Sequence, residues 1–439
     1  MTDILIIYEH VSRELENCAL IAAELERRGY KVKLSNIYSP LKYYIRPKVV
    51  IVPHLYDDGQ LNRFCDNFTH NNTAIIDMQY EQILGVGVGI DDIHNPKGQA
   101  KYAQHISWGK NQTERYINAG IATSNIHELG CVSMDLMRPE FSLYFKTKQS
   151  LADELGLDVN KEWVLFISSF SYANLSEQQI KSYSSVSPNV REFSEISTKT
   201  QTVLLKWLKE ASIMYPDKEF IYRPHPAEND NTIICKMQNE LPNFHCIREY
   251  SMRQWVHVVD RNYNWFSTSI TDVYYSGKSC FILRPFDIPL NMEVEILKNC
   301  KTLKTFDEFE ESLKNQDYCF PVTKEQIEYY YGNTKDCMSY QKIADLCEKM
   351  MKDRNLHYQF VFNSQRNFSL RIKTELENAI KSLYFILCNC FKLQNHFYLT
   401  PRYKKLLKKI YPQDVYGANK NFTQYKNKIK EYLENYVQK

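Results

Sequence analysis

The chain has 439 residues, 44% of them hydrophobic and 24% charged, which excludes an intrinsically disordered or collagen-like protein. At ~100–200 residues per domain, this length suits two core domains and an appendage. The net charge is only +3 but unevenly placed: residues 371–439 hold 14 Lys and Arg against 5 Asp and Glu, leaving 1–370 with a net −6.

The first residues, MTDILIIYEH, read as a β-strand over 4–8 and not as a signal peptide. A helix follows over 13–28, with Leu15, Cys18, Ala19, Ala22 and Leu25 on one face and Gly29 as its stop. Strands are predicted at 31–34, 49–52 and 73–77, with a helix over 58–67 between the last two. Gly85, Gly87 and Gly89 form a GxGxG that does not match the dinucleotide fingerprint, because no clear strand leads into it and no helix opens directly after it; a flexible active-site loop is expected, with a structural turn as the alternative. A strand at 106–108, a helix over 111–119 and a strand at 126–129 complete the first half. A second alternating block has strands at 163–167, 219–222, 244–247 and 280–283, and helices over 200–215 and 231–240. Repeated βα of this kind predicts doubly wound parallel sheets. The expectation is an α/β chain of GT-B architecture, two Rossmann-like domains facing a cleft, with boundaries at 1–155, 156–325 and a helical, basic extension at 326–439. No run of ~18 apolar residues predicts a transmembrane helix. The 12 Cys lack CxxC or zinc spacing, as in a reduced, cytoplasmic chain.

The sharpest constellation is Arg223-Pro224-His225-Pro226, at the end of a predicted buried strand. Ligands of open α/β sheets bind at the carboxyl ends of strands, and guanidinium and imidazole both donate to phosphate oxygens. Ser267, Thr268 and Ser269 precede a helix, where hydroxyls and free N–H groups accept an anion. Asp272, on that helix, could take a ribose hydroxyl or serve as a first-turn acid. The loop after the 163–167 strand brings Ser168, Ser169 and Asn174 to a strand end, as donor contacts or as ordinary loop residues. Acid/base candidates come from the first half: Glu81 past a strand end, Asp91 and Asp92 after the Gly loop, and Glu9 with His10 ending the first strand. No metal cluster, HExxH, Ser-His-Asp elbow or Walker loop is visible. In the tail, Tyr403, Tyr411, Tyr416 and Tyr425 interleave with Lys, a pattern that favours an anionic membrane over nucleic acid as the acidic surface it meets. A helical lid with a solvated basic face is the alternative.

Several segments resemble bacterial surface-carbohydrate biosynthesis proteins over roughly residues 1–290. They include Arg13-Glu14-Leu15-Glu16, Tyr80-Glu81-Gln82, Ser107-Trp108-Gly109, Gly130-Cys131-Val132-Ser133-Met134-Asp135-Leu136 and Ser169-Phe170-Ser171-Tyr172-Ala173-Asn174. The His225-Pro226 turn and Ser267, Thr268 and Ser269 are similar to the His-Pro and Ser/Thr motifs of GT-B transferases that use cytidine nucleotides. Those include capsule Kdo transferases, polysialyltransferases and CDP-glycerol polymerases. By that resemblance His225 would contact the donor phosphate and the hydroxyl triplet would complete the nucleotide site. It implies a metal-independent glycosyltransferase of capsule, lipopolysaccharide or O-antigen synthesis, with no cofactor beyond a nucleotide-sugar donor, CMP-Kdo or another CMP-nonulosonic acid. The acceptor would be a lipid-linked or oligosaccharide glycan, and the enzyme would be cytoplasmic or peripheral at the inner membrane. The alternatives are a CDP-glycerol-type phosphotransferase and a non-catalytic, membrane-docked nucleotide-sugar-binding protein.

Overall fold

The computed structural model describes residues 2–37, 39, 42, 44–65, 73–85, 94–184, 188–225, 227–332, 338–353, 356, 376, 379–380, 383, 386–387 and 415–437. The chain forms two compact units: residues 1–82, 89–132 and 329–439 make the first, and 83–88 and 133–328 the second. The chain thus changes unit at 132/133, where the sequence suggests 155/156, and residues 329–439 return to the first unit.

In chain order the first unit contains β1 (Ile4–Tyr8), α1 (Val11–Arg27), β2 (Val32–Asn36), β3 (Val49–Val52), α2 (Asp58–Cys65), β4 (Ala74–Asp77), β5 (Gln104–Ser107), α3 (Lys110–Asn118) and β6 (Ile126–Glu128). All strands are parallel, in the order β2-β1-β3-β4-β5-β6. Strands β1, β3 and β4 are buried at every position, as expected of Ile/Val-rich strands covered on both faces.

After the short α4 (Val132–Asp135), the second unit holds α5 (Lys148–Leu155), β7 (Glu162–Ile167), α6 (Glu177–Tyr183), α7 (Val190–Met214), β8 (Lys218–Arg223), α8 (Thr232–Glu240), β9 (Phe244–Cys246), α9 (Met252–Val258), β10 (Arg261–Asn264), α10 (Ile270–Tyr275), β11 (Cys280–Ile282) and α11 (Phe306–Lys314). Its sheet is also parallel, in the order β11-β10-β7-β8-β9. Its core is aromatic: Phe170 stacks on Trp265 at 4.7 Å and Phe166 on Tyr222 at 5.5 Å.

The helices α12 (Lys324–Tyr331), α13 (Ser339–Lys352) and α14 (Val415–Tyr432) follow. Both α13 and α14 pack on α1. This explains why α1 buries Leu20, Ile21 and Ala23 in addition to the predicted stripe of Leu15, Cys18, Ala19, Ala22 and Leu25. A helix apolar on more than one side requires cover on more than one side. From α14, Phe422 and Ile429 are buried, and Lys426 pairs with Glu26 at 2.6 Å. Part of the predicted extension is therefore structural packing of the first unit. Just beyond α12, Gly332 has φ +81°, and a Cβ there would lie 2.3 Å from the Trp108 carbonyl oxygen. The neighbouring Tyr331 stacks on Trp108 at 5.2 Å. No described helix is long and apolar enough to cross a membrane.

Candidate functional site

In the second sheet the connections run from β7 to β8 on one side, while β10 lies on the other. The reversal opens a crevice at the carboxyl ends of β7 and β10, where ligands of such sheets bind. Three predicted segments end there. The Ser169 hydroxyl accepts the Phe266 N–H at 3.2 Å, joining the β7 loop to the chain leading into Ser267. The Ser168 N–H donates to the Arg223 carbonyl at 3.0 Å, joining the same loop to the His-Pro turn.

Within this crevice the predicted residues differ in role. His225 is exposed; its Nδ1 accepts the Ala227 N–H at 3.1 Å, and desolvation holds its pKa below the ordinary value. Arg223 was expected at the phosphate. Instead its guanidinium donates to the Ile247 carbonyl at 3.1 Å and to the Tyr250 carbonyl. It braces the β9–α9 loop, where Tyr250 takes φ +63°. Ser168 is buried, its hydroxyl bonded to Glu228 and 2.9 Å from the Tyr222 hydroxyl, so it does not face a ligand. Asn174, at φ +55°, turns its amide to Gln201 of α7 at 3.1 Å. Ser267 accepts the Ser269 N–H at 3.2 Å, and the Thr268 carbonyl accepts the Thr271 hydroxyl at 2.8 Å, so the triplet organises the start of α10. Asp272 lies 3.8 Å from Arg253, and burial pushes its carboxyl up to about 6. Pro226 lies outside the described residues.

The first sheet reverses between β1 and β3. At those carboxyl ends a second polar cluster forms. Glu9 lies 3.5 Å from His54 Nδ1 and 3.8 Å from His10 Nε2. Desolvation lowers the pKa of both histidines, favouring the neutral ring that can accept a proton. Glu81 is clamped by Arg13 at 2.7 Å and His94 at 3.5 Å. The His94 hydrogen bond leads in holding its carboxyl down to about 2. Both partners favour the ionised form of Glu81. Asp77 accepts the Gln79 N–H at 3.1 Å and pairs with the buried His105 at 2.9 Å. This pins Gln79 at φ +43° ahead of Glu81. Glu14 accepts the Glu9 N–H at 2.7 Å and is almost fully buried; desolvation raises its pKa to about 7. Asp91 and Asp92, like most of the GxGxG loop, lie outside the described residues. Among the described residues no group of His, Cys, Asp and Glu has the geometry of a metal site.

Sequence reasoning missed His54, His94 and Glu228. His54 follows Pro53 at a strand end, the same signal that singled out His225. Glu228 lies three residues after His225, a spacing at which a carboxylate reaches back to a turn N–H.

Two parallel sheets, each carrying a polar cluster at its reversal point, define a two-domain α/β protein of GT-B-like fold. Solved structures share it. A UDP-GlcNAc 2-epimerase from Neisseria meningitidis bound to UDP-GlcNAc matches with a TM-score of 0.52 and 11% identity, covering 80% of this chain and 100% of that one. MnaA of S. aureus with UDP matches with a TM-score of 0.50 and 11% identity, covering 80% and 97%. The wall teichoic acid polymerase TagF matches with a TM-score of 0.51 and 13% identity, covering 80% and 89%. No protein-family model and no curated protein sequence matches the chain.

Proposed function

We propose that the chain is a GT-B-type transferase of bacterial surface-glycan assembly, acting on a nucleotide-activated donor. The observation that carries this is the joining of the β7 loop to both the His225 turn and the Ser267 segment at the second sheet's reversal point. A neutral imidazole N–H, the Ser267, Thr268 and Ser269 segment and nearby backbone N–H groups suit the phosphate of a leaving nucleotide, whose developing charge such donors stabilise. Asp272 remains the candidate for a ribose hydroxyl. The reading assigns this work to protein groups, with no metal and no further cofactor. In the first unit, Glu9 with His10 and His54 is the candidate acid/base group for an acceptor hydroxyl. The fold shared with proteins solved with UDP and UDP-GlcNAc, and with a teichoic acid polymerase, supports a nucleotide-linked donor. The sequence resemblance favours a CMP-linked nonulosonic acid such as CMP-Kdo. A CDP-glycerol-type phosphotransfer is the second reading, favoured by the TagF likeness.

The basic segment is proposed to dock on an anionic membrane at the cytoplasmic face. Leu376, Ile380, Leu383, Ile386 and Leu387 are helical and exposed, and residues 378–413 hold seven Lys and Arg and no Asp or Glu. Co-sedimentation with phosphatidylglycerol vesicles but not phosphatidylcholine vesicles is expected.

Thermal shift with CMP, CDP, UMP, UDP, GDP and TDP tests the donor. Selective stabilisation by CMP, weakened at least ~10-fold in affinity by His225→Ala, is expected. A folded variant with unchanged nucleotide affinity refutes the phosphate role. Preference for CDP selects the phosphotransferase reading.

A further inference from the structure

The His225 turn is held by one buried carboxylate. Glu228 is 6% exposed and receives donors from four places. The His225 N–H reaches its Oε2 at 3.2 Å, and the Ser168 hydroxyl bonds the same oxygen. The Tyr222 hydroxyl reaches Oε1 at 2.6 Å, and the Gln201 amide reaches it at 3.1 Å. An ionised carboxylate offers about four acceptor sites and no donor, so this set fills it. One side chain thereby joins the end of β7, strand β8, helix α7 and the turn. The Gln201 Oε1 passes the connection on, accepting from Asn174 at 3.1 Å and from Asn231 at 3.2 Å.

The turn dictates the state of the imidazole. The Ala227 N–H points at His225 Nδ1 from 3.1 Å. A neutral imidazole has one accepting and one donating nitrogen, so Nδ1 accepts and the proton sits on Nε2. A proton on Nδ1 would face the Ala227 N–H and break that bond.

We propose that Glu228 is the positioning residue of this site: by anchoring the His225 backbone it fixes the turn that locks the imidazole as the Nε2–H donor. The proposal rests on the reading that His225 contacts the donor phosphate, and it deepens that reading by naming what pre-sets the contact. Pre-setting matters because a donor already aimed at the developing charge costs no reorganisation during the reaction. Replacing Glu228 by Gln removes one acceptor oxygen and turns an N–H2 toward groups that are themselves donors, so at least one bond of the set inverts.

The test uses full-length protein with 15N-labelled histidine, the His225 signals being assigned from their loss in His225→Ala. The expected wild-type result is the Nε2–H tautomer in the nucleotide-free protein. In Glu228→Gln the expected result is a mixture of tautomers and at least a tenfold loss of CMP affinity, with Glu228→Asp recovering part of both. An Nδ1–H tautomer in the wild type overturns the proposal. A folded Glu228→Gln variant with wild-type tautomer and affinity overturns it too. If Glu228→Gln does not fold, the Tyr222→Phe, Gln201→Leu pair strips Oε1 of both its donors and leaves Glu228 in place; an unchanged tautomer and affinity there also overturn it. Failure of the functional reading looks different. A tautomer that responds to Glu228 in a protein binding no nucleotide leaves the positioning role standing and removes the transferase assignment.

Discussion

Glu14 carries a cost that rises with pH. Its carboxyl is buried under the β1–α1 junction, accepts the Glu9 N–H at 2.7 Å, and has its pKa raised from an ordinary 4.5 to about 7, burial outweighing the hydrogen bonds. A raised folded-state pKa means that stability is fully present below 4.5 and lost as pH climbs through 7, because the unfolded chain releases the proton first. At ~1.4 kcal/mol per pH unit, that shift amounts to ~3 kcal/mol by pH 8 and above. Glu14→Gln keeps an acceptor for the Glu9 N–H and mimics the protonated acid without ever ionising. The variant and the wild type are therefore expected to be equally stable near pH 4, with the variant ahead by ~3 kcal/mol at pH 8.5. Hydrogen exchange of β1 and α1 amides measures this in the first unit without interference from the second. A stability difference that does not change between pH 4 and pH 8.5 would refute the assignment of a buried, proton-retaining carboxyl.

Gly332→Ala should cost at least ~2 kcal/mol, seen as a lower melting temperature, because the new Cβ meets the Trp108 carbonyl at 2.3 Å and φ is positive. Arg223→Lys keeps the charge but loses the two-pronged grip on the Ile247 and Tyr250 carbonyls; exchange of amides in 247–251 should speed up by ~10-fold with little change in global melting.

What the sequence conveyed best was the strand-and-helix alternation, because buried parallel strands such as Ile4–Tyr8 and Val49–Val52 are short apolar runs rich in β-branched residues, unlike the longer, more Ala- and Leu-rich pattern of a helix. It also located the crevice of the second sheet, since strand ends can be counted along a chain. Roles inside the crevice were harder to foresee. Arg223 sits beside a phosphate-type histidine in sequence, yet its length lets it reach two carbonyls on the neighbouring loop, a partner far along the chain. Ser168 and Ser169 are adjacent, and the alternation of side chains at a strand end sends one to Glu228 in the core and the other to the Phe266 N–H. Glu81 reads as a strand-end acid, and its place in the chain does not reveal its partners Arg13 and His94, which come from other segments. The expected one-sided stripe of α1 understated its burial for the same reason: α13 and α14 come from the far end of the chain.

That last arrangement sets an order of assembly on the ribosome. Everything the second sheet needs is translated in one stretch, so it can close as soon as its final strand emerges. The first unit cannot. At ~5–20 residues per second, the 387 residues between the end of α1 and the start of α14 take roughly 20–80 s to appear. For that interval the side of α1 that α14 covers lacks this native partner and is a natural holding point for a chaperone. A nonsense mutation between residues 329 and 414 would leave a complete second unit attached to a first unit that lacks the cover of α14.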